Sequence, residues 1–267
     1  MNLFRRALPA LAAIALATLT GCGALAPTPD SAAVQALAPT GKLRVGLYPG
    51  TPTSIIGNPA DGTAKGVGFD LGSELARRSG VPFEPVVHAN NAGVLAAARS
   101  GAVDMVFTNA TPARMKELDF SPAVLQVEQG YLVPARSAIR TPAEVDRAGI
   151  RIGVSEGSTS EATLSRELKN AAVIRTPSLR AAVAMLAAGD LDAFATNKAT
   201  LYEMADELPG SRVLEGRWGL ESFAIGIPKG REAALLLVAR FVTAAKAEGL
   251  VTRAVERAGL RGTVPAD

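Results

Sequence analysis

A nine-residue pattern occurs twice in this chain, 88 positions apart. Gly101-Ala102-Val103-Asp104-Met105-Val106-Phe107-Thr108-Asn109 is answered by Gly189-Asp190-Leu191-Asp192-Ala193-Phe194-Ala195-Thr196-Asn197, with Gly, Asp, Thr and Asn in equivalent places. Each copy follows an Ala-rich amphipathic window closed by its glycine, which suits the left-handed C′ position of a helix. The apolar run that comes next has the length of a strand. One local solution used twice predicts two similar α/β lobes, each ending a central strand in a Thr-Asn pair. Ligands of open α/β sheets bind outside the carboxyl ends of the strands. Lobes that face each other therefore bring the two pairs together across a cleft.

The surrounding sequence extends this grammar. Leu43–Leu47, Phe83–Val87 and Val103–Phe107 read as strands, separated by helical windows at Phe69–Arg78 and Ala92–Ser100. After Thr141 the alternation restarts, with strands at Arg151–Val154, Val173–Arg175 and Ala193–Ala195 and helices at Thr159–Leu168 and Leu179–Ala188. Such βαβα order calls for parallel sheets covered by helices. Two further strand-like segments, Gln129–Val133 and Ser222–Ile227, read as crossings between the lobes and make a natural hinge. Ala234, Leu237, Val238, Phe241, Val242 and Ala245 mark one face of a long terminal helix that packs back on the first lobe. Residues 42–130 and 228–267 are expected to form lobe 1, and 131–227 lobe 2 with the hinge strands.

The N-terminus has a different character. Arg5-Arg6 precedes an apolar run from Ala7 to Leu19, too short to span a bilayer but of the size of a signal-peptide core. It ends in Leu19-Thr20-Gly21-Cys22, which resembles a bacterial lipobox. That resemblance implies that residues 1–21 are removed and that Cys22 carries a lipid. Residues 22–41, rich in Ala and Pro at first, read as a flexible tether. The chain is then exported and lipid-anchored to the cell envelope, facing the periplasm, or the outer face of the membrane in a monoderm host. Loss of Arg5 and Arg6 leaves 26 of the 28 basic residues against 25 acidic ones, a net +1 in place of +3. Near-neutral charge and 4% aromatic residues give no reason to expect a nucleic-acid partner.

With one histidine, His88, and one cysteine, Cys22, structural zinc clusters, disulfide frameworks and Cys-His catalysis are excluded. No cofactor or metal is expected. Gly153-Val154-Ser155-Glu156-Gly157 matches the nucleophile elbow of serine hydrolases, but the hydrolase order requires a histidine after the serine, and His88 precedes it. Gly66-Val67-Gly68-Phe69-Asp70-Leu71-Gly72 is one residue too long for a dinucleotide fingerprint. Recognition remains. Thr108, Asn109, Thr111 and Arg114 present two hydroxyls, an amide and a guanidinium to the expected cleft, and the guanidinium fork suits a carboxylate. In the second lobe Gly157-Ser158-Thr159-Ser160-Glu161 opens a helix, where hydroxyls and free backbone N–H groups favour an anion.

At these residues the chain resembles the bacterial extracellular solute-binding proteins of family 3, the periplasmic amino-acid receptors of ABC importers. The shared landmarks run in order from Gly68-Phe69-Asp70-Leu71 through Gly101-Ala102-Val103-Asp104, Thr111-Pro112-Ala113-Arg114 and Asp119-Phe120-Ser121-Pro122 to the helix opening at Gly157. The resemblance implies a type II periplasmic-binding fold: two α/β lobes joined by two crossing strands, closing on a ligand. It implies that Arg114 holds a ligand carboxylate, that Ser158 and Thr159 assist, and that Tyr48 stacks on the ligand. It also implies a membrane permease and its ATPase as partners in trans, with the receptor acting as a monomer and not as an enzyme. One departure stands out. The second-lobe strand ends in Thr196-Asn197-Lys198, where amino-acid receptors carry an aspartate for the ammonium group. A buried ammonium without a counter-charge is costly, so the expected ligand is a carboxylate or other anion that lacks an amine. Two alternatives stay open: a periplasmic dehydratase-like enzyme using Glu156 or Glu221 as general acid, and a sensor acting through a partner kinase.

Overall fold

The structure, a computed structural model, describes residues 30–264. The signal peptide 1–21, Cys22 and the first part of the tether lie outside the described residues. Eleven strands form one continuous, curled sheet: β1 Leu43–Leu47, β2 Phe83–Val87, β3 Met105–Asn109, β4 Leu118–Phe120, β5 Leu125–Val133, β6 Arg151–Ser155, β7 Ala172–Thr176, β8 Ala193–Asn197, β9 Arg212–Val213, β10 Gly219–Pro228 and β11 Thr263–Val264. The main order is β2-β1-β3-β10-β5-β8-β6-β7. β1 pairs in parallel with β2 and β3 in the first lobe, and β6 pairs in parallel with β7 and β8 in the second. Between them β5 and β10 run antiparallel to each other, Leu125–Gln129 against Phe223–Gly219, and each continues into one lobe's sheet. These are the two crossings, longer than their apolar cores suggested.

Nine helices cover the sheet among the described residues: α1 Ser31–Leu37, α2 Val67–Ser79, α3 Asn91–Arg99, α4 Pro112–Met115, α5 Thr159–Glu167, α6 Leu179–Ala188, α7 Lys198–Glu207, α8 Glu232–Ala247 and α9 Leu250–Ala258. The expected tether ends sooner than residue 41. Asp30 caps α1 by accepting from the Ala32 N–H at 3.0 Å, and Ala33 and Leu37, one helical turn apart, are buried in the first-lobe core against α8. The expected long helix is α8, and Gly249 at φ 69° separates it from a second one, α9. Both pack on the first lobe, with Arg78 on Glu248 and Arg257 on Asp70 tying them to α2.

The glycine run at 66–72 is explained by packing. Gly66 begins α2 at φ 152°, where a Cβ would lie 2.3 Å from the Ser54 carbonyl oxygen. At Gly72 a Cβ would press on Val45 at 2.9 Å, so its absence lets α2 settle directly on β1.

The repeated pattern recurs in the hydrogen bonds. Asp104 accepts from the Arg44 backbone N–H at 3.1 Å, from its Nε at 2.8 Å and from its Nη2 at 2.7 Å, while Nη2 also donates to the Gly101 carbonyl at 2.8 Å. Asp192 takes the same three donations from Arg151 at 2.8, 3.0 and 3.1 Å, and Nη2 donates to the Gly189 carbonyl at 2.5 Å. Each aspartate thus locks the turn before a central strand onto the strand beside it. That turn delays β3: the Asp104 N–H bonds the Arg44 carbonyl at 2.7 Å and pairing starts only at Met105. Thr108 and Asn109 become the last residues of the strand itself, and Thr196 and Asn197 end β8 in the same way.

The two locks differ in burial. Asp104 is fully buried and also accepts from Arg231 at 2.9 Å, whereas the Asp192 side chain is 32% exposed. Removing one partner of a buried pair strands the other, at about 3–5 kcal/mol, whereas a half-exposed pair with one backbone bond contributes about 1–2 kcal/mol. Asp104→Ala is therefore expected to cost about 3–5 kcal/mol in urea denaturation, and Asp192→Ala about 1–2 kcal/mol. Equal losses would contradict this account.

Candidate functional site

The two Thr-Asn strand ends meet in a narrow crevice between the lobes, with a cavity volume of ≈ 30 Å³. Of the residues singled out from the sequence, Tyr48, Thr108, Asn109, Arg114, Ser158, Thr159 and Asn197 line it. Thr111 does not. It stands one step back as the N-cap of α4, its hydroxyl accepting from the Arg114 N–H at 3.2 Å, with Pro112 opening the turn. The single turn of α4 exists to aim one side chain.

That side chain is held on both sides of the crevice. Arg114 Nη1 donates to Thr108 Oγ1 at 2.8 Å and to the Asn109 carbonyl at 3.2 Å; Nη2 donates across the gap to the Gly157 carbonyl at 3.1 Å. Glu117, the neighbour available to it in sequence, pairs with Arg99 at 3.0 Å instead. Burial lowers the pKa of the guanidinium, while Glu221 and Tyr48 act in the other direction; it stays protonated at any ordinary pH.

Other bonds join the lobes beside it. Asn109 Nδ2 donates to Thr159 Oγ1 at 3.3 Å, Asn91 Nδ2 to the Gly157 carbonyl at 3.2 Å, and Asn90 Nδ2 to the Pro177 carbonyl at 3.1 Å. Thr200 Oγ1 donates to Thr51 Oγ1 at 2.7 Å. The half-buried Tyr48 ring touches apolar clusters of both lobes, and burial, assisted by Glu221, pushes its phenol up to about 12. At the α5 opening, Ser158 Oγ accepts from the Glu161 N–H at 3.0 Å, and Glu161 Oε2 accepts from the Gly157 N–H at 2.7 Å. This capping pair uses donors that the sequence reading left free for an anion, and leaves the Thr159 hydroxyl as the active face of the turn.

Two features of the second lobe change the charge balance of the site. Lys198 turns away, its Nζ donating to Glu128 Oε2 at 2.6 Å, so the cation after Asn197 is neutralised outside the crevice lining. Asn197 caps α7, its Oδ1 accepting from the Thr200 N–H at 3.0 Å and hydroxyl at 3.1 Å. A carboxylate arrives from elsewhere. Glu221 on β10 is 6% exposed, lines the crevice and accepts from the Thr159 hydroxyl. Burial raises its pKa, against opposing effects of Thr159 and Arg114. Among the described residues no Lys, Arg or His nitrogen lies within 4.0 Å of it.

Phe223 and Asn91 line the crevice and were missed in the sequence, where Glu221 was considered only as an enzyme's general acid. The signal for Glu221 and Phe223 was present: they alternate with Leu220 and Ser222, so they share one face of a half-buried strand. Of the enzyme candidates, Glu156 is exposed and does not line the crevice. Ser155 lines it without a histidine among the lining residues, and His88 is half-buried with its Nε2 unpartnered.

The raised Glu221 pKa has a defined sign. The folded chain binds this proton more tightly than the unfolded chain, so ionisation opposes folding, and its contribution falls as pH rises through the interval above the ordinary glutamate value. The stability difference between wild type and Glu221→Gln is expected to shift against wild type between pH 4 and 8 in urea titrations. A constant difference across that range would place the carboxylate in a solvated environment.

Comparison with known proteins matches this geometry. The family model of the bacterial extracellular solute-binding proteins, family 3, covers residues 43–259. The glutamine-binding protein of an ABC transporter from Bacillus subtilis (strain 168) is 27% identical over 192 residues, 68% of this chain and 69% of its own length. Among solved structures, the solute receptor for L-cysteine of Neisseria gonorrhoeae superposes with a TM-score of 0.76 at 25% identity, covering 84% of this chain and 92% of that one. An ancestral amino-acid-binding protein, a precursor of cyclohexadienyl dehydratase, superposes at 0.73 and 24%, covering 84% and 98%. By sequence match over most of its length and by its two-lobed type II fold, the chain belongs to the bacterial extracellular solute-binding proteins, family 3.

Proposed function

We propose that the chain is the substrate-binding protein of an ABC importer. It captures a small carboxylate-bearing solute, amino-acid-like or an organic anion, in the inter-lobe crevice and delivers it to a membrane permease and its ATPase. The observation that carries this reading is the Arg114 guanidinium, fixed by lobe 1 through Thr108 and Asn109 and touching lobe 2 at Gly157. A bidentate donor set at this point engages a carboxylate from one lobe while the other lobe closes over it.

The mechanism follows from differential contact. A solute between the strand ends meets Thr108, Asn109 and Arg114 from one lobe and Thr159 and Asn197 from the other, so it stabilises the closed arrangement over an open one. Among the described residues β5 and β10 are the strands shared by the two lobes, and small changes along them rotate one lobe against the other. The closed pair of lobes presents a surface that a permease reads. Ser158 and Thr111 act by holding α5 and α4 in place. The names of the matched relatives support transport, and in this reading the lipid on Cys22 holds a monomeric receptor at the membrane surface. No helix among the described residues is long and apolar enough to cross a membrane.

One observation favours a second reading. Glu221 is a buried carboxyl group with a raised pKa in the crevice, the kind of group that serves as a general acid, and the fold is shared with a dehydratase precursor. Product formation from a cyclohexadienyl carboxylate by the purified protein, lost in Glu221→Gln, would establish that reading over capture.

Arg114→Ala is expected to weaken carboxylate binding by about 100-fold or more, through loss of charge-assisted hydrogen bonds, with an unchanged circular dichroism spectrum. Calorimetry with L-glutamine, L-arginine and L-cysteine checks this, and unchanged affinity would remove Arg114 from the site. Cys22→Ala is expected to move the protein from the membrane to the soluble fraction of cells; continued membrane association would argue against the anchor.

A further inference from the structure

The carboxylate of Glu221 is the one group in the crevice whose chemistry the capture of a bare anion does not use. Its backbone pairs with Val127 across β5–β10 whatever its side chain. An apolar side chain would fill the same 6%-exposed position without the cost of burying an acid. Its polar neighbours are neutral, the Thr159 hydroxyl and the Asn109 and Gln129 amides, and no cationic side chain among the described residues lies within ion-pair distance of it. The guanidinium of Arg114 is directed elsewhere, to Thr108, Asn109 and Gly157.

The register explains where this charge sits. Phe223 pairs with Asn109 on β3, Glu221 with Val127 and Gln129 with Asn197 on β8. Paired residues share a sheet face, as do residues two apart on a strand. Asn109, Phe223, Glu221, Gln129 and Asn197 therefore lie along one face, with the acid between the two Thr-Asn strand ends. Beside it Gln129, 2% exposed, accepts from Ser160 through Oε1 at 3.1 Å and leaves its Nε2 without a partner. The crevice thus has a cation on the lobe 1 rim and a carboxyl group on the crossing strand, while the lobe 2 strand end contributes the neutral Asn197.

We propose that Glu221 is the specificity-determining residue for a ligand ammonium group: the solute enters as a zwitterion, its carboxylate on Arg114 and its amine on the hinge-strand acid. This rests on the capture reading above and decides what that reading left open, against the amine-free ligand expected from Asn197 and Lys198. An ammonium at this place supplies the missing partner of a buried acid, and a ligand without one leaves the acid uncompensated. Discrimination therefore comes from a penalty on des-amino compounds as much as from attraction to amines.

The test uses three pairs of probes: L-glutamine with 4-carbamoylbutanoate, L-arginine with 5-guanidinopentanoate, and L-cysteine with 3-mercaptopropanoate. Affinities are measured by calorimetry at pH 7 on wild type, Glu221→Gln and Arg114→Ala. The expected result is that wild type binds at least one amino acid about 100-fold tighter than its des-amino partner. Glu221→Gln, isosteric and still able to accept from Thr159, is expected to shrink that preference to about tenfold or less. The des-amino compound should bind this variant as well as it binds wild type, or better. Equal wild-type affinity within each pair, or an undiminished preference in Glu221→Gln, overturns the assignment of Glu221 and leaves capture through Arg114 standing. Failure of wild type to bind any of the six compounds, or an Arg114→Ala variant that binds them as wild type does, overturns the capture reading and this inference with it.

Discussion

The antiparallel pairing of β5 with β10 is the constraint on which the molecule depends. Five residues of each strand, Leu125–Gln129 and Gly219–Phe223, hold each other before the strands part into different lobes. Without this pair the two parallel sheets would share no hydrogen bonds, and the Thr-Asn strand ends would have no fixed distance between them. The pair also carries Glu221 and Gln129, so the crossing between the lobes bears the carboxyl group that lines the crevice.

Electrostatics gives the crevice its direction. Arg114 and Glu221 both lie where burial penalises charge, as the opposite shifts of their pKa values record. Each is oriented by neutral donors and acceptors rather than by the other: α4 and the β3 end aim the guanidinium, and the Thr159 hydroxyl at the α5 opening holds the carboxylate. Oriented, incompletely paired charges of opposite sign are suited to a molecule that brings both complements with it.

Much of the architecture was legible in the sequence because the repeat marks positions that backbone geometry dictates. Gly101 and Gly189 must take positive φ, and Asp104 and Asp192 must lock a turn to its neighbouring strand, so neither pair of residues is free to vary in type. Their arginine partners, Arg44 and Arg151, were hidden because the connections differ in length and put them at another offset. Arg114 was legible because a guanidinium directly after a strand end has few structural uses. Glu221 was legible only as one of two candidate acids, since nothing near it in sequence singles it out from Glu156 and its place follows from pairing with a strand about 90 residues away. The expectation of an amine-free ligand rests on Asn197 and Lys198 as neighbours in sequence; in the fold α7 begins between them and sends the lysine to Glu128. The helices α1 and α7 and the break at Gly249 escaped notice because their apolar faces are short and Ala-rich, where periodicity is weak.

The most direct measurement is a crystal structure of the protein with the amino acid it binds most tightly. The account predicts the ligand between the strand ends, its carboxylate within hydrogen-bonding distance of the Arg114 guanidinium and its ammonium within reach of the Glu221 carboxylate. A ligand whose ammonium contacts Asn197 while Glu221 stays apart from it, or one seated outside the crevice, would contradict it.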